Sequence, residues 1–169
     1  AAAFYLDYRF KSQANTQFQR ANQRLVDEIV RRLKHPVSGL GGLRGFYIAS
    51  ESVSRSEFTD YVFSRDLPNE FPGVRGLGFV ERVEREQIDA FLARERADDS
   101  PDFALRSLGN DQHPTLYVVK VIEPAIDNGG VLGLDLGSEA TRRAAIELAV
   151  DSAEPTMTAP LRLVQDRGE

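Results

Sequence analysis

The sequence predicts an α+β domain, and two patterns support that prediction. Short runs rich in β-branched residues, each bounded by glycine or proline, alternate with segments whose apolar residues recur every three or four positions. The connections between these segments are short, so antiparallel neighbours are expected throughout the sheet. We therefore expect an antiparallel sheet covered mainly on one face by helices, with one long helix ahead of it.

The long helix is predicted from Phe4 to Lys34. Its apolar residues recur at spacings of three and four, and they are Phe10, Ala14, Phe18, Ala21, Leu25, Ile29 and Leu33. A helix of about 30 residues would be about 45 Å long, which is more than one small domain covers. Part of it should therefore project as a stalk or pair with a second copy, the alternative being an ordinary amphipathic core helix. His35-Pro36 is expected to end the helix, because the residue before proline is pushed out of the α region.

Two further helices are predicted before the sheet. Residues 37–50 have a helical pattern despite four glycines, which we interpret as small residues where two helices approach closely. A phosphate-binding loop would need a preceding strand and a following lysine, and the sequence has neither there. Ser54-Arg55-Ser56-Glu57 is the pattern of a capping box, and it predicts a helix from about Arg55 to Ser64.

The first part of the sheet is expected between residues 74 and 122. Residues 74–83 should form a strand in which Gly76 and Gly78 mark a bulge or a close approach. A charged helix over residues 84–97 and a short strand over residues 103–108 should follow. Tyr117 to Ile122 is rich in β-branched residues and predicts a buried strand, which Pro124 ends because proline donates no ladder hydrogen bond.

The segment after Pro124 is expected to complete the sheet. Asn128-Gly129-Gly130 could supply the positive φ of a tight hairpin, so residues 131–136 should return antiparallel to the preceding strand. Ser138 is expected to cap a helix whose apolar side lies against the sheet. That side consists mostly of small residues, namely Ala140, Ala144, Ile146, Leu148, Ala149 and Val150. Residues 156–163 are expected to form the closing strand.

Composition excludes several classes of function. The chain has 169 residues, enough for one domain with a real core, and a net charge of −5. A nucleic-acid backbone or an anionic membrane surface requires a basic face, so neither is expected as the main partner. Cysteine is missing, which rules out a disulfide framework and a thiolate metal site. No run of residues approaches the roughly 20 apolar positions of a membrane span.

An enzymatic function and a bound cofactor are not expected. The sequence has two histidines, His35 and His113, and it lacks the G-x-S-x-G and H-E-x-x-H motifs. Residues 97–102 form an acidic turn without the alternating ligands and closing glutamate of a calcium loop. Acid–base hydrolysis by a carboxylate pair stays open, although no pair stands out among the 26 acidic residues.

Five pieces of the chain resemble, in the right order, the CHASE domain family. They are Ala49-Ser50 with residues 53–58, residues 71–74 with 77–79, Tyr117 to Pro124, Gly133 to Ser138 with Arg142 to Ala145, and Thr156 to Gln165. CHASE domains are extracellular sensory domains that precede histidine kinases and nucleotide cyclases, with the plant cytokinin receptors as the best-known members. The resemblance covers roughly residues 20 to 165, and five pieces in the right order are much harder to produce by chance than any single piece.

The resemblance implies a stalk helix at residues 4–35 and a PAS-like sensory domain at residues 36–169. It also implies a homodimer through the N-terminal helix and a periplasmic or extracytoplasmic location in a cell-membrane receptor. The receptor's output would be a histidine kinase, a cyclase or a diguanylate cyclase. The chain would be the membrane-distal part of such a domain, with the C-terminal part missing. The rival hypothesis is a structural or dimerisation module that uses the same fold without a ligand.

Five residues are candidates for contact with a small-molecule ligand. Tyr117 combines an apolar ring with a hydroxyl that could orient a ligand, and a packed core tyrosine is the alternative. The resemblance places Glu123 near an acidic ligand-binding position, and Thr158 of Thr-Ala-Pro at a pocket-lining position. Arg75 and Arg106 are alternatives if the ligand is anionic.

Overall fold

The computed structural model describes the backbone of residues 2–109 and 112–163, and the side chains of residues 17–109 and 112–163. The chain divides into two compact units, residues 1–45 and 46–169. The first unit is helical, and the second contains the sheet and its flanking helices. These elements confirm the predicted fold class, an α+β domain with a long N-terminal helix.

Helix α1 runs without interruption over Ala2–Ala49. The predictions that it ends at His35-Pro36 and that a separate helix follows are therefore wrong. Pro36 removes one backbone donor, but the hydrogen bonds on both sides of it continue the helix. Within the described part of the chain, no helix is both long enough and apolar enough to cross a membrane.

Helix α2 (Arg55–Phe63) begins with the predicted capping box. The backbone N–H of Ser54 donates to the Glu57 carboxylate at 2.8 Å, and the backbone N–H of Glu57 donates to the Ser54 hydroxyl at 3.3 Å. The Glu57 carboxylate accepts from the backbone N–H of Ser54 and also from its hydroxyl, and these two bonds hold the pKa of the Glu57 carboxyl below its ordinary value. The local sequence signal is therefore sufficient to place the start of this helix.

The sheet has four strands in the order β1-β3-β4-β2. The strands are β1 (Leu77–Glu84), β2 (Arg106–Ser107), β3 (Thr115–Glu123) and β4 (Leu134–Asp135). The remaining helices are α3 (Leu67–Glu70), α4 (Ile88–Ala97), α5 (Ala125–Asn128) and α6 (Ala140–Ser152). β1 pairs with β3 antiparallel along its whole length, with Leu77 opposite Glu123 and a bulge after Phe79. β2 and β4 pair parallel, contrary to the prediction, because β3 lies between them in the chain and provides a long connection.

β3 is covered on both faces, which corrects the expectation of one covered face. Each residue from Leu116 to Val119 is at most 7% exposed, although successive side chains point to opposite faces of a strand. On one face, Leu116 and Val118 pack in a cluster with Phe91 of α4. On the other face, Val119 packs with Val131 and Leu134. The central strand β3 is therefore buried on both faces, whereas β2 is exposed.

A buried carboxylate lies between α2, α4 and β3. Glu95 is fully buried, and its carboxylate oxygens lie 3.2 Å from Arg55 Nη2, 3.3 Å from Lys120 Nζ and 3.4 Å from Arg94 Nε. Arg55 also donates to the carbonyl oxygen of Lys120 at 2.8 Å and to that of Asp98 at 3.2 Å. One carboxylate therefore joins three elements, because each of them contributes a cation to it.

An aromatic cluster lies around Tyr47, within the second unit. The Tyr47 ring stacks on Phe79 of β1, with ring centroids 4.1 Å apart, and lies 6.4 Å from the ring of Phe58 in α2. Its hydroxyl is buried and has no hydrogen-bond partner among the described residues. Burial first, and then the carboxylates of Glu81 and Glu95, raise the pKa of this hydroxyl well above its usual range.

The predicted hairpin between β3 and β4 is replaced by a compact helical connection. Asn128 ends α5, and Gly129–Val131 form a 3-10 turn in which neither glycine has a positive φ. The positive φ falls on Gly133, at 76°, where a Cβ atom would overlap the carbonyl oxygen of Ala104. The predicted antiparallel return is confirmed, because Val118 of β3 pairs with Asp135 of β4 in an antiparallel arrangement. The predicted tight turn is wrong, because Asn128 is buried and bonds inward to the carbonyl oxygen of Pro124.

Helix α6 begins one residue later than predicted. Glu139, and not Ser138, is its N-cap, and the carboxylate of Glu139 accepts from the backbone N–H groups of Thr141 at 2.9 Å and Arg142 at 3.0 Å. These bonds, led by that from Thr141, hold the pKa of the Glu139 carboxyl below its ordinary value. The hydroxyl of Ser138 instead donates to the carbonyl oxygen of Asp135 at 2.5 Å.

Helix α6 packs through a charged residue, and this also differs from the prediction. Arg143 is its buried residue, and it donates to the carbonyl oxygens of Gly137 at 2.7 Å and Thr115 at 3.1 Å. Leu148 and Val150, which were expected on the sheet side, are 58% and 54% exposed. The guanidinium provides hydrogen bonds that the small apolar residues could not supply.

Residues 156–163 do not form the predicted closing strand. They are irregular, and residues 153–160 are exposed. Pro155 and Pro160 lack the N–H donor of a ladder, and the hydroxyl of Thr156 donates to the carbonyl oxygen of Ala145 at 2.7 Å. The segment is therefore bonded to α6 rather than to the sheet.

Replacing Glu95 with alanine should lower the free energy of unfolding by about 3 kcal/mol. The substitution would leave Arg55 and Lys120 largely buried without their shared carboxylate, which is the costly way to break a buried ion pair. Urea denaturation would measure the change, with Glu86→Ala as a control at an exposed acid, expected to stay within about 0.5 kcal/mol. Equal stability of the two variants would show that the network contributes no net stability.

Candidate functional site

A cleft of about 440 Å³ opens where β1 begins. Its described lining residues are Leu67, Pro68, Val74, Arg75, Pro124 and Asp127, and we call it the Arg75 cleft. Three segments build it, namely α3, the loop before β1 and the turn after β3. The volume falls within the roughly 300–1,000 Å³ of small-molecule sites, so the cleft is large enough to hold a ligand.

The buried amide of Asn128 fixes two walls of the Arg75 cleft. Asn128 is 1% exposed, and its Nδ2 donates to the carbonyl oxygens of Arg75 at 3.1 Å and Pro124 at 2.9 Å. At Gly76, a Cβ atom would lie 2.8 Å from both Asn128 Nδ2 and the carbonyl oxygen of Glu123. Only glycine permits this approach, so the predicted close contact at Gly76 is confirmed.

The α3 side of the cleft is held by a separate set of contacts. Leu67 and Phe71 are buried, and the Arg65 guanidinium lies 5.5 Å from the centre of the Phe71 ring. Arg65 Nε also donates to the Glu70 carboxylate at 2.8 Å, and this bond is the main cause that holds the pKa of Glu70 below its ordinary value. Gly73, with a φ of 91°, provides the turn from α3 towards β1.

The Arg75 cleft combines an apolar surface with one cation and one carboxylate. Leu67, Pro68, Val74 and Pro124 are aliphatic, whereas Arg75 and Asp127 are exposed side chains of opposite charge. Such a surface can hold the apolar body of a ligand and orient its polar groups. In the described part of the chain, no three His, Cys, Asp or Glu side chains are grouped to hold a metal ion.

A second cavity, of about 260 Å³, lies beside the first turns of α6. We call it the Arg143 cavity, and its described lining residues are His113, Gly137, Ser138, Ala140, Arg143, Ala144 and Glu147. The guanidinium of Arg143 donates to the carbonyl oxygens of Gly137 and Thr115, and to Glu147 Oε1 at 3.2 Å. Because these bonds hold α6 against the sheet, we assign Arg143 a structural role.

Two of the five predicted site residues lie at or beside the Arg75 cleft. Arg75 lines it, and Glu123 directly precedes the lining residue Pro124. The Glu123 carboxylate is bonded within the chain, because Oε1 accepts from the hydroxyl of Thr59 at 2.9 Å and Oε2 accepts from the backbone N–H of Ala125 at 2.8 Å. Glu123 therefore shapes the turn that carries one wall of the cleft.

The other three predicted residues do not line this cleft. Tyr117 is 7% exposed, and the Arg143 guanidinium lies 5.4 Å from the centre of its ring. Arg106 Nε donates to the carbonyl oxygen of Leu132 at 3.1 Å. Thr158 is exposed in the irregular segment after α6. The structure thus brings Arg75 and Glu123 together and places the other three elsewhere.

Asp127 and Asn128 are site residues that the sequence analysis missed. From the sequence, Asn128 was interpreted as part of a tight hairpin turn, and Asp127 was not selected. A signal for Asn128 was nevertheless present, because glycine at position 76 leaves room for a neighbouring side chain to approach the backbone. The identity of that neighbour depends on a contact between residues 52 positions apart, which no local pattern encodes.

Replacing Asn128 with alanine should lower the free energy of unfolding by roughly 2 kcal/mol, because two carbonyl oxygens beside the cleft would lose their donor. Asn69→Ala is the matched control, since Asn69 bonds to Asp66 on the exposed side of α3 and should cost less than about 0.5 kcal/mol. Urea denaturation of both variants tests this. An unchanged midpoint for Asn128→Ala would refute the role assigned to the amide.

Comparison with known proteins identifies the family to which the chain is similar. The CHASE domain family matches residues 51–169, which is more than half of the chain. No curated protein matches the chain. CHASE domains are extracellular sensory domains of membrane receptors and are not themselves catalytic. The chain therefore belongs to the CHASE domain family.

Proposed function

We propose that this chain is the ligand-sensing domain of a transmembrane signalling receptor, and that a small molecule binds in the Arg75 cleft. The observation that carries the proposal is the cleft itself, an open site of about 440 Å³ with an aliphatic lining and two charged groups. Membership of a sensory family supports the same conclusion. Ligand binding biases the receptor by the difference in affinity between its two arrangements.

The cleft adjoins the elements that would respond to a ligand. Arg75 and Gly76 lead directly into β1, whose Phe79 stacks on Tyr47 near the end of α1. A ligand that moves the start of β1 would therefore change the packing around Tyr47. In our proposal Arg75 contacts the ligand and Glu123 positions the turn, while Tyr117, Arg106 and Thr158 are candidates for contacts outside the cleft.

We also propose that α1 pairs with a second copy to form a homodimer. Several apolar residues on the described part of α1 are more than half exposed, among them Phe18, Leu25, Ile29 and Leu33. They recur at spacings of seven and four residues, which suits the seam of a helix pair. The PAS-like domain would lie outside the cytoplasmic membrane, and the stalk would pass its signal to a histidine kinase, a cyclase or a diguanylate cyclase.

A ligand-free dimerisation module is the second candidate function. The exposed apolar side chains of α1 favour it, because they would serve a dimer whether or not a ligand binds. The two candidates differ in what they require of the Arg75 cleft. A sensor needs the cleft to select a ligand, whereas a dimerisation module does not.

A thermal-shift screen against adenine derivatives, amino acids and small carboxylates should yield a specific, dose-dependent rise in melting temperature. A ligand at about 100 times its Kd stabilises the native state by about 2.7 kcal/mol, which is readily measured. Arg75→Gln should abolish the rise, whereas Arg82→Gln, at an exposed arginine further along β1, should preserve it. A flat response across the whole panel would favour the ligand-free dimerisation module.

Glu28→Pro should abolish dimer formation, because proline in a helix interior removes a hydrogen bond and disrupts the turn before it. Glu28→Ala is the control: it removes the exposed ion pairs with Arg31 and Arg32 but leaves the helix intact. Sedimentation equilibrium at high protein concentration would measure both variants. If Glu28→Pro sediments like the wild-type dimer, or if the wild type is monomeric, pairing through α1 is refuted.

A further inference from the structure

One buried side chain bonds the backbone segments that carry the two charged residues of the Arg75 cleft. Asn128 bonds the carbonyl oxygen of Arg75, and Asp127 is its neighbour in the chain. Asn128 also bonds the carbonyl oxygen of Pro124 at 2.9 Å, which fixes the turn that carries Asp127. The backbones that present the cation and the carboxylate are therefore fixed relative to each other before any ligand arrives, and this preorganisation lowers the cost of binding.

The charge pattern discriminates between classes of ligand. A simple anion would be attracted by Arg75 and repelled by Asp127. A simple cation would be attracted by Asp127 and repelled by Arg75. A ligand with one positive and one negative group is attracted by both side chains at once. Selection by repulsion as well as by attraction is a common source of specificity.

The lining of the cleft defines the rest of the ligand. Its four uncharged residues, Leu67, Pro68, Val74 and Pro124, are aliphatic, and the described lining contains neither an aromatic ring nor a side-chain amide. A planar base would find no ring to stack on there. The volume of about 440 Å³ lies in the lower half of the range for ligand sites, which suits one small molecule.

We infer that the ligand of the Arg75 cleft is a small zwitterion with an aliphatic body, that is, a compound of the aliphatic α-amino-acid type. This inference rests on the proposed sensory function and names its ligand class. Arg75 binds the carboxylate of the ligand, Asp127 binds its ammonium group, and the aliphatic lining holds the side chain.

Isothermal titration with matched probes tests the inference. The zwitterionic probes are L-valine, L-leucine, L-isoleucine and L-proline. Two analogues of leucine each lack one charged group: 4-methylpentanoate lacks the ammonium group, and 3-methylbutylamine lacks the carboxylate. We expect at least one of the four zwitterions to bind. 4-Methylpentanoate and 3-methylbutylamine should each bind at least tenfold more weakly than leucine. If leucine itself does not bind, neither analogue should bind detectably.

Two charge-neutralising variants assign the contacts. Arg75→Gln should weaken zwitterion binding at least tenfold, and the variant should no longer distinguish leucine from 3-methylbutylamine, which lacks the carboxylate. Asp127→Asn should also weaken zwitterion binding at least tenfold, and this variant should no longer distinguish leucine from 4-methylpentanoate, which lacks the ammonium group. Arg82→Gln and Asp89→Asn are controls at exposed residues outside the cleft, and both should bind like the wild type.

The outcomes separate the inference from the function on which it rests. Adenine derivatives and small dicarboxylates are titrated in the same way, and if one of them binds in an Arg75-dependent manner while the zwitterions do not bind, the sensory function stands and the ligand class is wrong. If zwitterions bind but neither cleft variant changes their Kd, the assignment to this cleft is overturned. If no compound in the panel binds, the inference and the sensory function fail together.

Discussion

The antiparallel pairing of β1 with β3 is the constraint on which the rest of residues 46–169 depends. At one end of this pair, Gly76 and the amide of Asn128 bring the strands close enough to form the Arg75 cleft. Near the middle, Lys120 of β3 bonds the buried carboxylate of Glu95, and Phe79 of β1 stacks on Tyr47. A change in this pairing would therefore reach the cleft, the ionic network and the aromatic cluster together.

Charged and polar groups, as well as apolar ones, orient the helices around this strand pair. Glu95 is shared by cations from α2, α4 and β3, and Arg143 bonds carbonyl oxygens on the opposite side of β3. Buried ion pairs add little net stability compared with apolar packing, but their geometry is specific. We interpret both as groups that fix the arrangement of the helices, while buried apolar residues such as Phe58, Phe91 and Val118 form the core.

Local signals in the sequence predicted the features that are locally determined. The Ser54 capping box, the strands β1 and β3 and the close approach at Gly76 were all recognisable, and all are present. Other features depend on distant contacts. Pro36 is accommodated within α1, Asn128 turns inward to bond Arg75, and residues 156–163 bond to α6. Of the charged pair in the cleft, Arg75 was predicted and Asp127 was not, because only the folded turn after β3 brings them to one site.

The central claim is that a small molecule binds in the Arg75 cleft, and chemical-shift mapping would test it most directly. Backbone amide spectra would be recorded for the ¹⁵N-labelled chain with and without amino acids, small carboxylates and adenine derivatives. The account predicts saturable shifts concentrated at Arg75, Gly76 and Asp127, with small changes around the Arg143 cavity. Shifts confined to Gly137, Ala140 and Ala144, or no saturable shifts with any compound, would contradict it.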